Sequence, residues 1–192
     1  MVVLNRIYTR TGDAGTTALS TGERRAKYDL RVASYGTVDE TNATIGLVRL
    51  HTRDEAVLDP MLGRIQNDLF DLGADLATPE RPEPLGWEPL RIVAAQVARL
   101  EGEIDTLNAE LSPLRSFVLP GGSAAAAHLH LSRTVCRRAE RLVVELAADP
   151  AETVNPETVK YLNRLSDFLF VAARWINDRG AADVLWVPGQ NR

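Results

Sequence analysis

The sequence predicts an all-α fold, a five-helix bundle. Three observations point there: apolar residues recur at spacings of three and four, helix-capping residues open the periodic stretches, and nothing alternates long enough to make a sheet. The chain has 192 residues, enough for one domain with a sizeable core, and its 45% apolar and 25% charged content is ordinary for a globular protein. No boundary or repeat divides it, so residues 1–192 read as a single domain with 1–27 as a polar, turn-rich N-terminal segment.

The first helix runs from about Asp29 to His51, and Gly36 and Gly46 within it suggest a close helix approach. The second carries Leu58, Leu62, Ile65, Leu69, Leu72 and Leu76 along one stripe, and Pro79, Pro82 and Pro84 then break the chain. Leu90, Val93, Val97, Leu100, Ile104, Leu107 and Leu111 define the third helix. Ser123 caps the fourth, which runs to about Ala148 with Leu131, Val135, Ala139, Leu142 and Leu146 on its apolar face. Asn155 and Pro156 open the fifth, Leu162, Leu165, Leu169, Ala172 and Ile176 line it, and Gly180 is its expected terminator.

Composition narrows the function classes. A net charge of −4 argues against non-specific attraction to nucleic acid or acidic membrane, and sparse aromatics and lysines weaken a nucleic-acid reading further. Cys136 is alone, so no disulfide forms within the chain. No apolar run approaches the roughly 20 residues that span a bilayer, and the N-terminus lacks an apolar signal segment. These features favour a cytoplasmic setting. His51, His128 and His130 do not supply the Glu-x-x-His pairs of a ferritin-like metal site.

Five places carry possible chemistry. The stretch IYTRTGDAGTT at residues 7–17 offers the hydroxyls of Thr9, Thr11, Thr16 and Thr17, with Gly12 and Gly15 free to turn backbone N–H groups inward. Such a nest can cradle phosphate, with Lys27 as a mobile point charge, although the stretch lacks the ending of a P-loop. A frayed terminus is the other reading. On the fourth helix Arg133, Arg137 and Glu140 fall within about 60° of one another around the axis, suited either to anion binding or to a solvated, salt-bridged face. Asn163, Asp167 and Arg174 form a polar line on the fifth helix, with Phe170 among them, which reads as an ordinary wet face or as a face whose polar groups find partners under another subunit. Asp39 and Asn42, one turn apart on the first helix, read as surface groups or as ligands. SFVLPGG, with Phe117, Val118 and Leu119, closes the bundle end or walls an apolar pocket.

Five separated blocks agree in order with one family: YTRTGDAGTT, VASYGTVDETNA, FVLPGG, SRTVCRRAER and YLNRLSDFLFVAARWIN. Together they resemble the PduO-type ATP:cob(I)alamin adenosyltransferases over about residues 5–178. The resemblance implies a homotrimer of five-helix bundles with active sites between subunits, transferring the 5′-deoxyadenosyl group of ATP to cob(I)alamin and releasing triphosphate. By it, the strap of Thr9, Arg10, Thr11, Gly12, Asp13, Gly15, Thr16 and Thr17 wraps ATP with Lys27, while Arg137, Glu140 and Asn163 match nucleotide-binding positions. Mg²⁺ is expected on the triphosphate. Arg133 and Asp39 correspond to an inter-subunit salt bridge beside the corrin, and Phe117 to the aromatic that helps remove the lower axial ligand of cobalamin. An electron-donating reductase and an adenosylcobalamin-dependent acceptor enzyme are the implied protein partners. The alternative is a non-catalytic nucleotide- or cobalamin-binding regulatory bundle.

Overall fold

The computed structural model describes residues 7–81 and 85–192, so the expected breaks at Pro82 and Pro84 and the first six residues of the N-terminal segment lie outside the described residues. Among those described, the helices are α1 (Leu30–Arg49), α2 (Leu58–Leu76), α3 (Ala94–Asn108), α4 (Ala124–Ala148) and α5 (Pro156–Trp175). α1 packs on α2 and α4, α4 on α5, and α5 on α3. The apolar stripes of α2 and α5 meet in one core in which Leu62, Ile65, Leu72, Leu162, Leu165 and Leu169 are almost wholly buried. Removing each such side chain from water contributes about 1.5–3 kcal/mol, which explains why these periodic stretches govern the fold.

The ends follow their capping chemistry. Asp29 accepts the Arg31 N–H, Ser123 that of Ala126, and Asn155 that of Glu157. α3 starts later than its stripe predicts. The Asp75 carboxylate takes the Ile92 N–H at 2.8 Å and Arg91 at 2.6 Å, tying the preceding segment to α2 in extended form. Gln96 then returns its side-chain oxygen to the Val93 N–H at 3.0 Å, and Leu90 and Val93 are left exposed. α5 ends at Trp175, and Gly180 instead belongs to a separate turn over Asp178–Gly180.

Two expectations are corrected. A short antiparallel hairpin exists, β1 (Thr16–Ala18) with β2 (Arg24–Ala26), Thr17 opposite Arg25. Among the described helical glycines, the one that receives a neighbour closely is Gly63, where an added Cβ would lie 3.4 Å from the Arg49 guanidinium. Gly36 has open space around it, and Gly46 meets only Gln66 at 3.7 Å.

Charged pairs fix the helix connections. Arg49 holds Asp59 across the α1–α2 turn at 2.7 Å. Hydrogen bonding from Arg49, opposed by partial burial, keeps the Asp59 carboxyl below its ordinary value of 3.8. A depressed folded value means that this pair stabilises above pH 3.8 and stops doing so as pH falls through the folded value. Asp59→Asn should therefore be less stable than the parent at pH 7, and the two denaturation midpoints should converge in acid. A constant gap down to pH 2 would exclude the titration of Asp59 as the cause.

Candidate functional site

The N-terminal strap is a folded loop. Arg10 adopts φ 61° and Gly15 φ 80°, and the Gly15 N–H bonds back to the Gly12 carbonyl at 3.1 Å. The Lys27 N–H reaches the Gly15 carbonyl at 2.9 Å, closing the loop against the end of β2. Lys27 bends over it: a Cβ added to Gly12 would stand 3.1 Å from the Lys27 Nζ. The loop and the Lys27 ammonium thus lie together. The Thr9 and Thr11 hydroxyls pair at 2.9 Å. Thr16 is engaged by Arg24 Nε at 3.0 Å, and the same guanidinium donates to the Thr11 carbonyl at 2.7 Å. Asp13 is exposed. Arg24 is a strap-holding residue that sequence reasoning missed, since three residues of β2 carry too little alternation to place it.

The hairpin is anchored to the bundle end. Glu152, in the α4–α5 connection, accepts Arg25 from β2 at 2.8 Å and Arg31 from α1 at 2.7 Å. The Arg31 side chain is only 1% exposed and also donates to the Leu76 and Thr153 carbonyls.

A second group sits on α4 and α5. Asn163 Nδ2 donates to Glu140 Oε1 at 2.8 Å, Arg137 approaches the other oxygen of Glu140 at 4.0 Å, and Arg164 donates to Asn163 Oδ1 at 2.6 Å. Glu140 is mostly covered while the Arg137 side chain is half exposed, so the cation is presented outward and the carboxylate orients its neighbours. Arg133, one turn earlier, is held below the ordinary arginine range by burial and by the charge of Arg137. Its buried Nε has no hydrogen-bond partner among the described residues. Cys136, on the core side of α4, donates to the Leu162 carbonyl at 3.4 Å, and burial pushes its thiol far up. It is a packing residue.

Among the described residues, no hydrogen bond or ion pair joins residues 9–17 to Arg137, Glu140 or Asn163 within the chain. The same holds for Asp39 and Arg133. Asp39 opens onto a groove of about 480 Å³ between α1 and α2, lined by Tyr35, Val38, Leu69 and Phe70, whereas Arg133 lies on α4. Arg174 departs from the polar line expected on α5: it is buried and paired with Asp183 at 2.9 Å. Arg138, outside the Arg133–Arg137 face, pairs with Glu40 on α1.

The loop with Phe117 leaves its apolar side chains in the open. Phe117 is 76% exposed, and its ring stands 6.0 Å from that of Trp186, itself partly exposed, in the C-terminal tail. Gly122 ends this loop with φ 94°, where a Cβ would clash at 2.4 Å with Asn177 Oδ1, so only glycine fits.

Fold and site define a helical-bundle protein with a glycine–threonine strap, a cationic face across two helices and an exposed aromatic loop. The cobalamin adenosyltransferase family model matches residues 7–176, and the chain belongs to that family. It is 50% identical over 191 residues to the corrinoid adenosyltransferase of Mycobacterium tuberculosis, covering 100% of this chain and 97% of the relative. The cobalamin adenosyltransferase of Cupriavidus metallidurans is 49% identical over 184 residues, with 95% of each chain covered. Among solved structures, a single-residue variant of the PduO-type ATP:corrinoid adenosyltransferase from Lactobacillus reuteri, complexed with cobalamin and ATP, superposes with a TM-score of 0.85. It is 37% identical, with 94% of this chain and 99% of that chain covered.

Proposed function

We propose that this protein transfers the 5′-deoxyadenosyl group of ATP to cob(I)alamin, forming adenosylcobalamin and inorganic triphosphate. The observation that carries the reading is the outward-facing Arg137, oriented through Glu140 and Asn163 on two adjacent helices, in a chain of this family. Cobalt in the +1 state supplies the electron pair. It attacks C5′ of ATP as the C5′–O bond to the triphosphate breaks, so no side-chain nucleophile is required. The protein's part is alignment and charge: the strap holds the phosphate chain, and Lys27 and Arg137 offset the negative charge that grows on the leaving triphosphate.

In this reading each site is assembled from two copies, the strap of one facing α4 and α5 of another, and it is supported by the strap making no hydrogen bond or ion pair to the Arg137 group within the described residues of one chain. The unpartnered Arg133 Nε and the exposed Asp39 support an ion pair across the same interface. A homotrimer closes such a heterologous contact. Mg²⁺ fits as a cation carried by the phosphate oxygens. No group of three His, Cys, Asp or Glu residues that could hold a metal is found among the described residues, and Glu140 is the carboxylate beside the cationic face. When bound it supplies further neutralisation of the triphosphate.

Phe117 serves the step that makes the nucleophile. A donor below Co(II) raises the orbital that must accept the electron, and an exposed aromatic inserted there excludes that donor. Phe117→Ala should lower Co(II)-dependent turnover by about 10–100-fold, or about 1.4–2.7 kcal/mol of barrier, with the KM for ATP unchanged. An equal loss of ATP affinity, with an unaltered corrin absorption spectrum, would argue against this role.

No helix among the described residues is long and apolar enough to cross a membrane, and a cytoplasmic enzyme supplied by a reductase and serving an adenosylcobalamin-dependent enzyme fits this chemistry. The decisive assay is anaerobic, with ATP, Mg²⁺ and pre-reduced cobalamin, following adenosylcobalamin and triphosphate together. Binding of both substrates without triphosphate release would favour the regulatory bundle.

A further inference from the structure

After α5 the chain turns back on itself through Asp178, Arg179 and Gly180, at φ 55°, 51° and 83°. Two of the three are not glycine, and such strain persists only where surrounding contacts enforce it. Here the Arg179 guanidinium lies 3.6 Å from the centre of the Trp175 ring and donates to Glu110 at 2.9 Å. The turn delivers Asp183 to the bundle end. Both oxygens of that carboxylate are used: Oδ2 accepts Arg174 Nε at 2.9 Å, and Oδ1 accepts Asn177 Nδ2 at 2.9 Å. The side chains of Arg174 and Asp183 are 7% and 4% exposed.

Beyond Asp183 the tail is otherwise poorly held. Val184, Leu185, Trp186 and Val187 are all exposed, so apolar burial does not fix it. It nevertheless runs as a short ladder along the Phe117 loop. The Leu119 N–H bonds to the Val184 carbonyl at 2.8 Å, the Trp186 N–H to the Phe117 carbonyl at 2.7 Å, and the Ser116 hydroxyl to the Trp186 carbonyl at 2.6 Å. Asn177 ties the far end of the loop as well, because its Oδ1 accepts the N–H of Ser123, the N-cap of α4, at 3.1 Å. Arg174 completes the frame by donating to the Ser112 carbonyl at 3.0 Å, where the loop begins.

We infer that Asp183 is a positioning residue for the corrinoid half-reaction. Its buried carboxylate, held by Arg174 and Asn177, latches the C-terminal tail to the loop that presents Phe117 and thereby sets that ring against the lower face of the corrin. The inference rests on the proposed role of Phe117. Asp183 itself touches neither substrate.

The test uses the full-length chain, with Asp183→Ala and Asp183→Asn, and with the double variant Arg174→Met/Asp183→Ala, which removes the buried cation along with its partner should the single variant fold poorly. Phe117→Ala is run in parallel. Hydrogen exchange at the Leu119 and Trp186 amides, measured without substrates, should rise about tenfold or more in the Ala variants and less in Asp183→Asn. The KM for cobalamin should rise about tenfold with that for ATP unchanged, and the four-coordinate Co(II) absorption formed with cob(II)alamin and ATP should diminish. Unchanged amide exchange would overturn the latch. Faster exchange without any change in cobalamin KM or Co(II) spectrum, while Phe117→Ala alters both, would overturn the positioning role alone. If Phe117→Ala leaves the spectrum untouched, the Phe117 reading fails and the positioning role with it.

Discussion

Arg137→Ala should lower kcat/KM for ATP by about 10²–10³-fold, the loss typical of removing one group that meets charge developing in a transition state. The fold should hardly notice. The side chain is half exposed and its approach to Glu140 is 4.0 Å, so little stability is lost with it. The effect should fall on kcat as well as KM, because triphosphate leaving C5′ carries more localised charge than bound ATP. Arg137→Lys should recover only part of the rate, since an ammonium keeps the charge and loses the planar fork. Initial rates over a range of ATP concentrations, with pre-reduced cobalamin, separate these terms. Unaltered kinetics would remove Arg137 from the mechanism.

The second large effect is expected at Glu152, in the α4–α5 connection. Its carboxylate joins β2 through Arg25 and α1 through Arg31. Glu152→Ala would leave the Arg31 guanidinium buried with only the Leu76 and Thr153 carbonyls for company. Breaking a buried pair from one side costs about 3–5 kcal/mol. The hairpin that carries the strap would lose its ion pair to the α4–α5 connection, so the KM for ATP should rise as well. Urea denaturation reads the first effect and substrate kinetics the second. A loss of stability below about 1 kcal/mol would mean that Arg31 does not depend on Glu152.

Much of this was legible in the sequence because helix periodicity reports directly on which side chains leave water. The leucines of α2 and α5 and the caps at Ser123 and Asn155 follow from local chemistry alone, and the structure has them. Other features depend on contacts distant in sequence. The β1–β2 hairpin is too short and polar to show an alternating pattern. Arg174 sits on a polar helical line that predicts exposure, but the strained turn returns Asp183 over it. Val93 continues the α3 stripe by spacing, although Asp75 and Gln96 stop the helix short of it. For the site, the motif blocks brought the strap, Arg137, Glu140 and Asn163 to attention, and Lys27 stood out as a cation beyond the strap. They said nothing of Arg24 or Glu152, whose bonds hold the strap to the bundle.

The proposed sharing of each site between two copies has a genetic corollary. If each site draws on two copies, Lys27→Ala and Arg137→Ala damage different halves. When two such inactive proteins are unfolded together and reassembled, some junctions should receive an intact strap from one parent and an intact helix face from the other. Activity should therefore reappear in the mixture, while a chain carrying both substitutions, mixed with either parent, stays silent.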